Sequence, residues 1–562
     1  MRKDFVSRLV KLLLLVLILT AFHTNTADPI SSVQARPLGT TYNGNPGNYR
    51  TLLDGLNAGD ILELEAGTYT QGLPIDDLNG TAGNPIIITG PESGAPAVFK
   101  ARSCCNTVSI RDSSYVQIRY LELDGRDVGG AKLAGVDAVK AESDAQWAHH
   151  ITLENLTIYN HDGDQQTVGI STKCPAWDWV IRGNIIDSAG TGMYLGDSNG
   201  GAPFINGLIE GNLVKDTIGY NVQIKHQTSP HPTGLGAPAN GTTIIRHNVF
   251  SKAANAATGD DARPNLLVGH WPLNGDGSND VYQIYGNFFY QNPTVEPLFQ
   301  GEGNVALYDN LFVNDVGEAI WIQPHNDVPK LIRVFNNTIV ASGSGIYLTG
   351  GDPAQQRVIG NAVFAALPLP IDAPAQTQSD NVTDSFANTA NYLVNPTGSP
   401  TGSPSQLDLY PLTNMLLQGS VLDSSSFNTF QDWDRDFNSQ QHDGTFRGAY
   451  AGEGANPGWL PKLERKPLGD IQIGGTVTEA SSGLSGVTFS GSGSSCNPSD
   501  SSGAYTCFVV SDWSGALTPL KLGYIFTPTL VSYMNVTTHT LNQDYLAANT
   551  FTERVYLPVV LK

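Results

Sequence analysis

Between Asn155 and Phe364 one short phrase keeps returning: an asparagine followed by apolar or β-branched residues. It reads Asn155-Leu-Thr-Ile, Asn184-Ile-Ile, Asn212-Leu-Val, Asn248-Val-Phe, Asn287-Phe-Phe, Asn310-Leu-Phe, Asn337-Thr-Ile and Asn361-Ala-Val-Phe, at intervals of 23 to 39 residues. Self-similarity in that range marks a repeat architecture in which each copy is one supersecondary unit stacked on the next. Asparagine tolerates the left-handed conformation of a tight corner and bonds to local backbone. The residues after it start a short strand whose alternate side chains point inward. A leucine-rich repeat would show steadier spacing and more leucine, and propeller blades need about 40–50 residues each. Helical repeats conflict with the Gly, Asn and β-branched content. The expected fold is all-β, a right-handed parallel β-helix, with the longest intervals carrying loop insertions.

Composition agrees with a turn-rich, acidic chain: 60 Gly, 33 Pro, 15% charged residues and a net charge of −21 over 562 residues. That balance argues against nucleic acid or an anionic membrane as a global partner. Arg2, Lys3, Arg8 and Lys11 precede an apolar run from Leu12 to Phe22, too short for a good membrane span. With the small-residue site Val33-Gln-Ala35, residues 1–35 read as a signal peptide, which makes the protein secreted or cell-surface, with no integral span after removal. Five cysteines fit that compartment. Cys496 and Cys507 flank a turn-like stretch and form an expected local disulfide. The pairing of Cys104, Cys105 and Cys174 stays open.

Residues 36–467 are assigned to the coil with its cap and closing segment. Asn48 is the expected N-cap of a short helix that covers the first turn, with apolar positions at Leu52, Leu53 and Leu56. From Ala365 the repeat fades into a return segment over the outside, then the linker Pro461 to Pro467. Residues 468–548 hold short strands between turn clusters, as in a small β-sandwich. Residues 549–562 are a tail, either a last edge strand or a sorting signal.

The segment Ala58-Gly-Asp-Ile-Leu-Glu-Leu-Glu-Ala-Gly-Thr-Tyr69, followed by Asn79-Gly-Thr-Ala-Gly-Asn-Pro-Ile-Ile-Ile-Thr-Gly90, resembles the opening of the pectate-lyase superfamily of β-helix proteins. It is most similar to the chondroitinase B and alginate lyase branch. The later Gly-Asn phrases and the closing Asp434-Arg-Asp-Phe and Arg447-Gly-Ala-Tyr450 resemble the same superfamily, over about residues 40–455. Residues 469–548 look like a carboxypeptidase regulatory-like domain. The resemblance implies a polysaccharide partner and β-elimination on a uronic-acid glycan. Sugar hydrolases and non-enzymes share such coils, so glycoside hydrolysis and non-catalytic glycan binding or adhesion stand as alternatives.

Thirteen residues beyond the repeat Asn stand Lys225, Gln300 and Gln323. Alternation within Val222-Gln-Ile-Lys225 and Ile320-Trp-Ile-Gln323 turns Gln223, Lys225, Trp321 and Gln323 outward on one sheet. His226, His270, Trp271, Glu302 and His325 follow those strand ends. These are the expected substrate groove, with aromatic groups for ring faces and polar groups for hydroxyls. Lys225-His226 resembles the family's Arg-His pair with Lys for Arg, although Tyr194-Leu-Gly-Asp197 lacks the family's second base. β-Elimination needs a cation for the carboxylate, a base for the C5 proton and an acid for the leaving oxygen. Lys225 is a candidate base with Arg246 or His270 nearby. Equally, Lys225 neutralises the carboxylate while His226 or His270 is the base. The resemblance implies calcium, for which Asp197, Asp260 and Asp261 are candidate ligands by composition. The chain is read as a monomer.

Overall fold

The computed structural model describes residues 39–102, 105–126, 139–141, 145–225, 227–269, 272, 274–326, 328–372, 378–401, 406–467, 471–491, 494–509, 513–536 and 539–549. The expected signal peptide, His226, His270, Trp271, Cys104 and the tail beyond Asn549 therefore lie outside the described residues.

Each turn of the coil lays down three strands in a fixed order. One coil runs Leu208–Glu210, Leu213–Thr217, Val222–Ile224; the next runs Thr242–Arg246, Val249–Lys252, Leu266–Val268. Equivalent strands pair in parallel from coil to coil, giving three long sheets, here A, B and C, of 15, 12 and 10 strands among the described residues. The chain is thus a three-faced parallel β-helix. Alternation fills its interior: Val222, Ile224, Leu266, Val268, Ile320 and Ile322 are fully buried. Phe250, Phe289 and Phe312 stack through the core with centroids 5.0 and 4.5 Å apart. Such in-register stacking of like side chains buries apolar surface at about 25 cal/mol per Å² in every coil.

The repeat asparagines form a ladder at the A-to-B corner. The backbone N–H and Nδ2 of Asn212 both donate to Asn248 Oδ1, at 3.0 and 2.9 Å. The same pair of bonds links Asn184 to Asn212, Asn248 to Asn287, and onward to Asn381. Each Nδ2 also donates to a carbonyl of the preceding coil, as Asn248 does to Ile209 at 2.9 Å. Two expectations are corrected here. The left-handed residue is the one before each asparagine: Gly183, Gly211, His247, Gly286, Asp309, Asn336 and Gly360 all have positive φ, and the ladder asparagines do not. Asn155 occupies that left-handed position (φ 53°), so it is one residue out of register; Leu156 stands where the ladder begins and donates its N–H to Asn184 Oδ1. The amide is selected for bridging coils, not for turning the corner.

The cap helix Tyr49–Leu53 buries Tyr49 and Leu53 over the first coil, with Tyr49 edge-on to Tyr69 and Phe99. Asn48 holds the N-cap position, but its side chain accepts from Asn45 N–H instead of capping the helix.

The described residues between 393 and 463 fold back along the outside. Leu409, Tyr410, Leu416, Phe437 and Tyr450 pack on the outer face of sheet B. Phe427 and Phe430 continue the Tyr285–Tyr308–Phe335 stack on the outer face of sheet A. The expected linker at 461–467 is no free tether. Arg465 donates to Asn155 Oδ1 and to the Gly183 carbonyl, and Lys466, 3% exposed, donates to the carbonyls of Gly286 and Phe437. Beyond it, a sheet built on Ile471–Glu479, Ala504–Val509 and Tyr545–Asn549 shares one core with a second sheet of Thr488–Ser490, Trp513–Leu520 and Val531–Val536. Cys496 and Cys507 face each other across antiparallel strands and are disulfide-bonded. Cys105 is also disulfide-bonded, and Cys174 is a buried free thiol.

Candidate functional site

The closing segment covers the later coils of sheets A and B, while the described strands of sheet C carry no such cover. The register of sheet C sets out two outward rows. The first runs Ser171, Tyr194, Gln223, Leu267, Gln300, Trp321, Tyr347. The second lies two residues further on, just past the strand ends: Gly196, Lys225, Gly269, Glu302, Gln323, Thr349. Backbone bonds hold it in register, with Lys225 N–H to the Leu195 carbonyl at 2.8 Å and Gly269 N–H to the Ile224 carbonyl at 3.0 Å.

This corrects the counting from the asparagines. Gln300 belongs with Gln223 and Trp321, not with Lys225 and Gln323. Residues 291–298, which connect sheet B to sheet C in that coil, form a loop two residues longer than the equivalent stretch before Trp321. A fixed offset from the corner therefore fails across it.

Lys225 rises between two glycines, Gly196 and Gly269, on the adjoining coils. A Cβ at Gly196 would stand 3.2 Å from Lys225 Cβ, so the glycines leave a trough on either side of the lysine. Half-buried there, its ammonium is disfavoured, and its pKa falls below the usual lysine range through burial and then through the charge of Arg263. Arg263 ends the inserted loop that connects sheets B and C. Its Nη1 donates to the carbonyls of Asp260 (2.8 Å) and Ala262 (2.7 Å), and its guanidinium sits 5.9 Å from the Tyr220 ring centroid. Burial pushes the Tyr220 and Tyr194 hydroxyls up to about 12, so both stay protonated donors at neutral pH. Lys173 lies 3.9 Å over the Tyr194 ring.

Beneath the loop, Lys252 is 6% exposed and donates to the Arg263 carbonyl. Burial brings its pKa down to about 7, with Glu296 opposing and Arg263 reinforcing the shift. Because the folded pKa is depressed, the unfolded chain binds the extra proton between pH 7 and about 10.4, and stability rises with pH across that window. Denaturation midpoints at pH 7 and pH 9.5 should differ more for the wild type than for Lys252→Met. Equal differences would show that Lys252 keeps an ordinary pKa.

The other expected residues fall as follows. Gln223 and Gln300 are largely buried under the outer row, at 5% and 9% exposure. Trp321 and Tyr347 are half-buried neighbours with ring centroids 6.0 Å apart. Gln323 is half-buried and His325 exposed. Glu302 does not serve a groove: it is 2% exposed and accepts the N–H groups of His325 and Asn326, holding the loop that follows Gln323. Arg246 is on another face altogether. It projects from sheet A, paired with Glu210 at 2.8 Å, Tyr285 Oη at 2.9 Å and Asp432 of the closing segment at 3.3 Å, which removes it from any role beside Lys225. The expectation that it lies near Lys225 is corrected by the sheet to which its strand Thr242–Arg246 belongs. His226 and His270 adjoin Lys225 and Gly269 in sequence but lie outside the described residues.

The calcium expectation finds no convergent ligand set. Among the described residues no group of three or more His, Cys, Asp or Glu is placed to hold a metal ion. Asp197 Oδ1 accepts from Ser198 within its own turn, and Asp260 and Asp261 are exposed in the one-turn helix Gly259–Asp261.

Arg263, Tyr220, Tyr194 and Lys252 were not singled out in the sequence. Arg263 had one local signal, a lone cation closing the acidic insertion just before a groove strand. The tyrosines had none.

No protein-family model matches the chain, and no curated protein matches it. Solved structures do. Pectate lyase Pel9A aligns over 75% of this chain and 98% of its own, at 14% identity and TM-score 0.42. An alginate lyase from Paenibacillus sp. aligns over 52% and 97%, at 18% identity and TM-score 0.33. A lacto-N-biosidase from Eubacterium ramulus aligns over 59% and 62%, at 12% identity and TM-score 0.31. This chain is a three-faced parallel β-helix. The likeness is one of coil architecture, which the three sheets establish on their own, and two of these names belong to lyases while the third belongs to a glycosidase. Among the described residues of this β-helix, no helix is long and apolar enough to cross a membrane.

Proposed function

We propose that the protein is an exported, polysaccharide-active lyase that cleaves an acidic glycan by β-elimination on the outer face of sheet C. The observation that carries this reading is Lys225, half-buried between two glycines on the outer face of sheet C, with Arg263 near enough for its charge to lower the lysine pKa. Arg263 neutralises the uronate carboxylate and so acidifies the C5 proton. Lys225, neutral in part because of burial and its neighbour, takes that proton. The C5–H electron pair forms the C4–C5 double bond, the C4–O bond breaks, and the leaving oxygen takes up a proton. The Arg263 cation also offsets locally the repulsion between a chain of net charge −21 and a polyanion.

The test is a screen of the purified protein on pectate, alginate, chondroitin and neutral glycans, with calcium and with chelator, following the ultraviolet absorbance of the unsaturated product. Arg263→Ala should raise KM and lower kcat/KM about tenfold to a hundredfold on the polymer that is cleaved, the scale of a lost charge-assisted contact. An unchanged KM would remove Arg263 from the site, and no unsaturated product from any uronan would end the lyase reading.

Non-catalytic glycan binding is the second reading, favoured by the Trp321–Tyr347 pair on the same face. Glycoside hydrolysis needs two carboxylates about 5–9.5 Å apart. Glu302 is committed to backbone N–H groups, and Asp260 and Asp261 stand exposed in their loop, so that chemistry has little to work with among the described residues.

A further inference from the structure

The register of sheet C places Trp321 three strand spacings, and Tyr347 four, beyond the coil that carries Lys225. At about 4.8 Å per strand these offsets are about 14 and 19 Å along the coil axis. Both rings project from the row that also carries Gln223 and Gln300, and both are half-buried on the face the closing segment leaves open. Their centroids are 6.0 Å apart and their planes tilted by 57°, so the pair forms a short angled wall instead of a closed stack. In the later coils of sheet A the outward aromatics are buried against residues of the closing segment, as Phe335 is against Phe427 at 3.9 Å. Trp321 and Tyr347 have no such cover among the described residues.

We infer that Trp321 and Tyr347 form a remote sugar-stacking subsite for the same glycan that reaches Lys225, so that the protein selects chain length. The inference rests on the reading of sheet C as the glycan face. A polymer lying along the coil axis presents sugar-ring faces to the aromatic wall while a uronate sits at Lys225 and Arg263. An offset of 14 Å is longer than a disaccharide, so a short oligosaccharide engages one end or the other and not both. Linking the two contacts through one ligand makes the second contact intramolecular, and affinity climbs once the chain spans the gap. The face of an aromatic ring suits the apolar side of a pyranose and is indifferent to its charge. Chain-length selection is therefore separable from the recognition of the carboxylate.

The experiment titrates oligogalacturonates and oligomannuronates of two, four, six and eight residues into the whole protein, reading binding by calorimetry and cleavage in parallel by ultraviolet absorbance. The wild type should bind the hexamer of its preferred series at least about tenfold more tightly than the dimer. In Trp321→Ala the ratio of hexamer to dimer affinity should collapse towards one, with a smaller fall in Tyr347→Ala. Trp321→Phe should restore most of the ratio, which separates loss of the ring from loss of the fold. If Trp321→Ala keeps the wild-type ratio, the subsite is refuted even where cleavage is robust. If no polymer is cleaved but the ratio depends on Trp321, the lyase reading fails and the subsite stands. If the wild type binds none of these oligosaccharides, the inference is overturned with the glycan face on which it rests.

Discussion

Lys225→Ala should lower the rate of uronan cleavage about a hundredfold or more, the scale of a lost general base, while leaving the thermal midpoint near that of the wild type. The side chain projects from the coil surface, so its removal opens no core cavity, and its neighbours in the row are glycines. The pH profile carries the sign of the mechanism. Burial and Arg263 pull the Lys225 pKa below the ordinary lysine value, so the neutral base accumulates at a lower pH than it would on an exposed lysine. Activity should therefore rise with pH through that depressed pKa and then level off. Lys225→Arg separates the two roles open to this residue. A guanidinium remains charged at every accessible pH; it can neutralise a carboxylate and cannot take a proton. Loss of activity in Lys225→Arg assigns Lys225 as the base. Retained activity assigns it to the carboxylate and directs attention to His226 or His270. Wild-type rates in Lys225→Ala would make it an ordinary surface lysine.

The largest stability effect is expected inside the corner ladder. Asn287 Oδ1 accepts both the backbone N–H and the Nδ2 of Asn248, while its own Nδ2 donates to the Ile245 and Tyr285 carbonyls and to Asn310 Oδ1. It is fully buried. Asn287→Ala leaves several of these groups without partners in a site water does not reach, and each such group costs about 1–3 kcal/mol. A total loss of about 3 kcal/mol or more follows, read as a drop in the denaturant midpoint. Asn155→Gly is the informative control. Its position is left-handed, where glycine carries no steric penalty, and its amide bonds outside the ladder, to Arg465 and the Tyr120 hydroxyl. The change should cost less than about 1 kcal/mol. Equal losses at the two positions would mean that the ladder bonds contribute little.

Most of the coil was legible before any coordinates. A self-similar phrase that returns every 23 to 39 residues marks stacked units, so the periodicity implies coils, although the coil-bridging role of its amide was not legible in it. Alternation in Val222-Gln-Ile-Lys225 settles which side chains face inward, because the strand period is two residues whatever the loops do. Those are local constraints, carried by neighbours in sequence.

What the tertiary structure alone decided is everything that depends on loop length and on long-range cover. The two extra residues before Phe299 moved Gln300 into another row. The sheet to which each strand belongs placed Arg246 on a different face of the coil from Lys225. Glu302 reads as a groove acid until the loop at His325 claims both its oxygens. Arg263 becomes Lys225's partner only because an insertion returns to the strand next door. The return of residues 393–463 over sheets A and B, leaving sheet C open, is written in no periodicity. It is a matter of which outer faces are apolar enough to be buried by a segment two hundred residues away. Sequence determines the repeat because the repeat is a nearest-neighbour property; the site is assembled from different coils, and its geometry exists only once they are stacked.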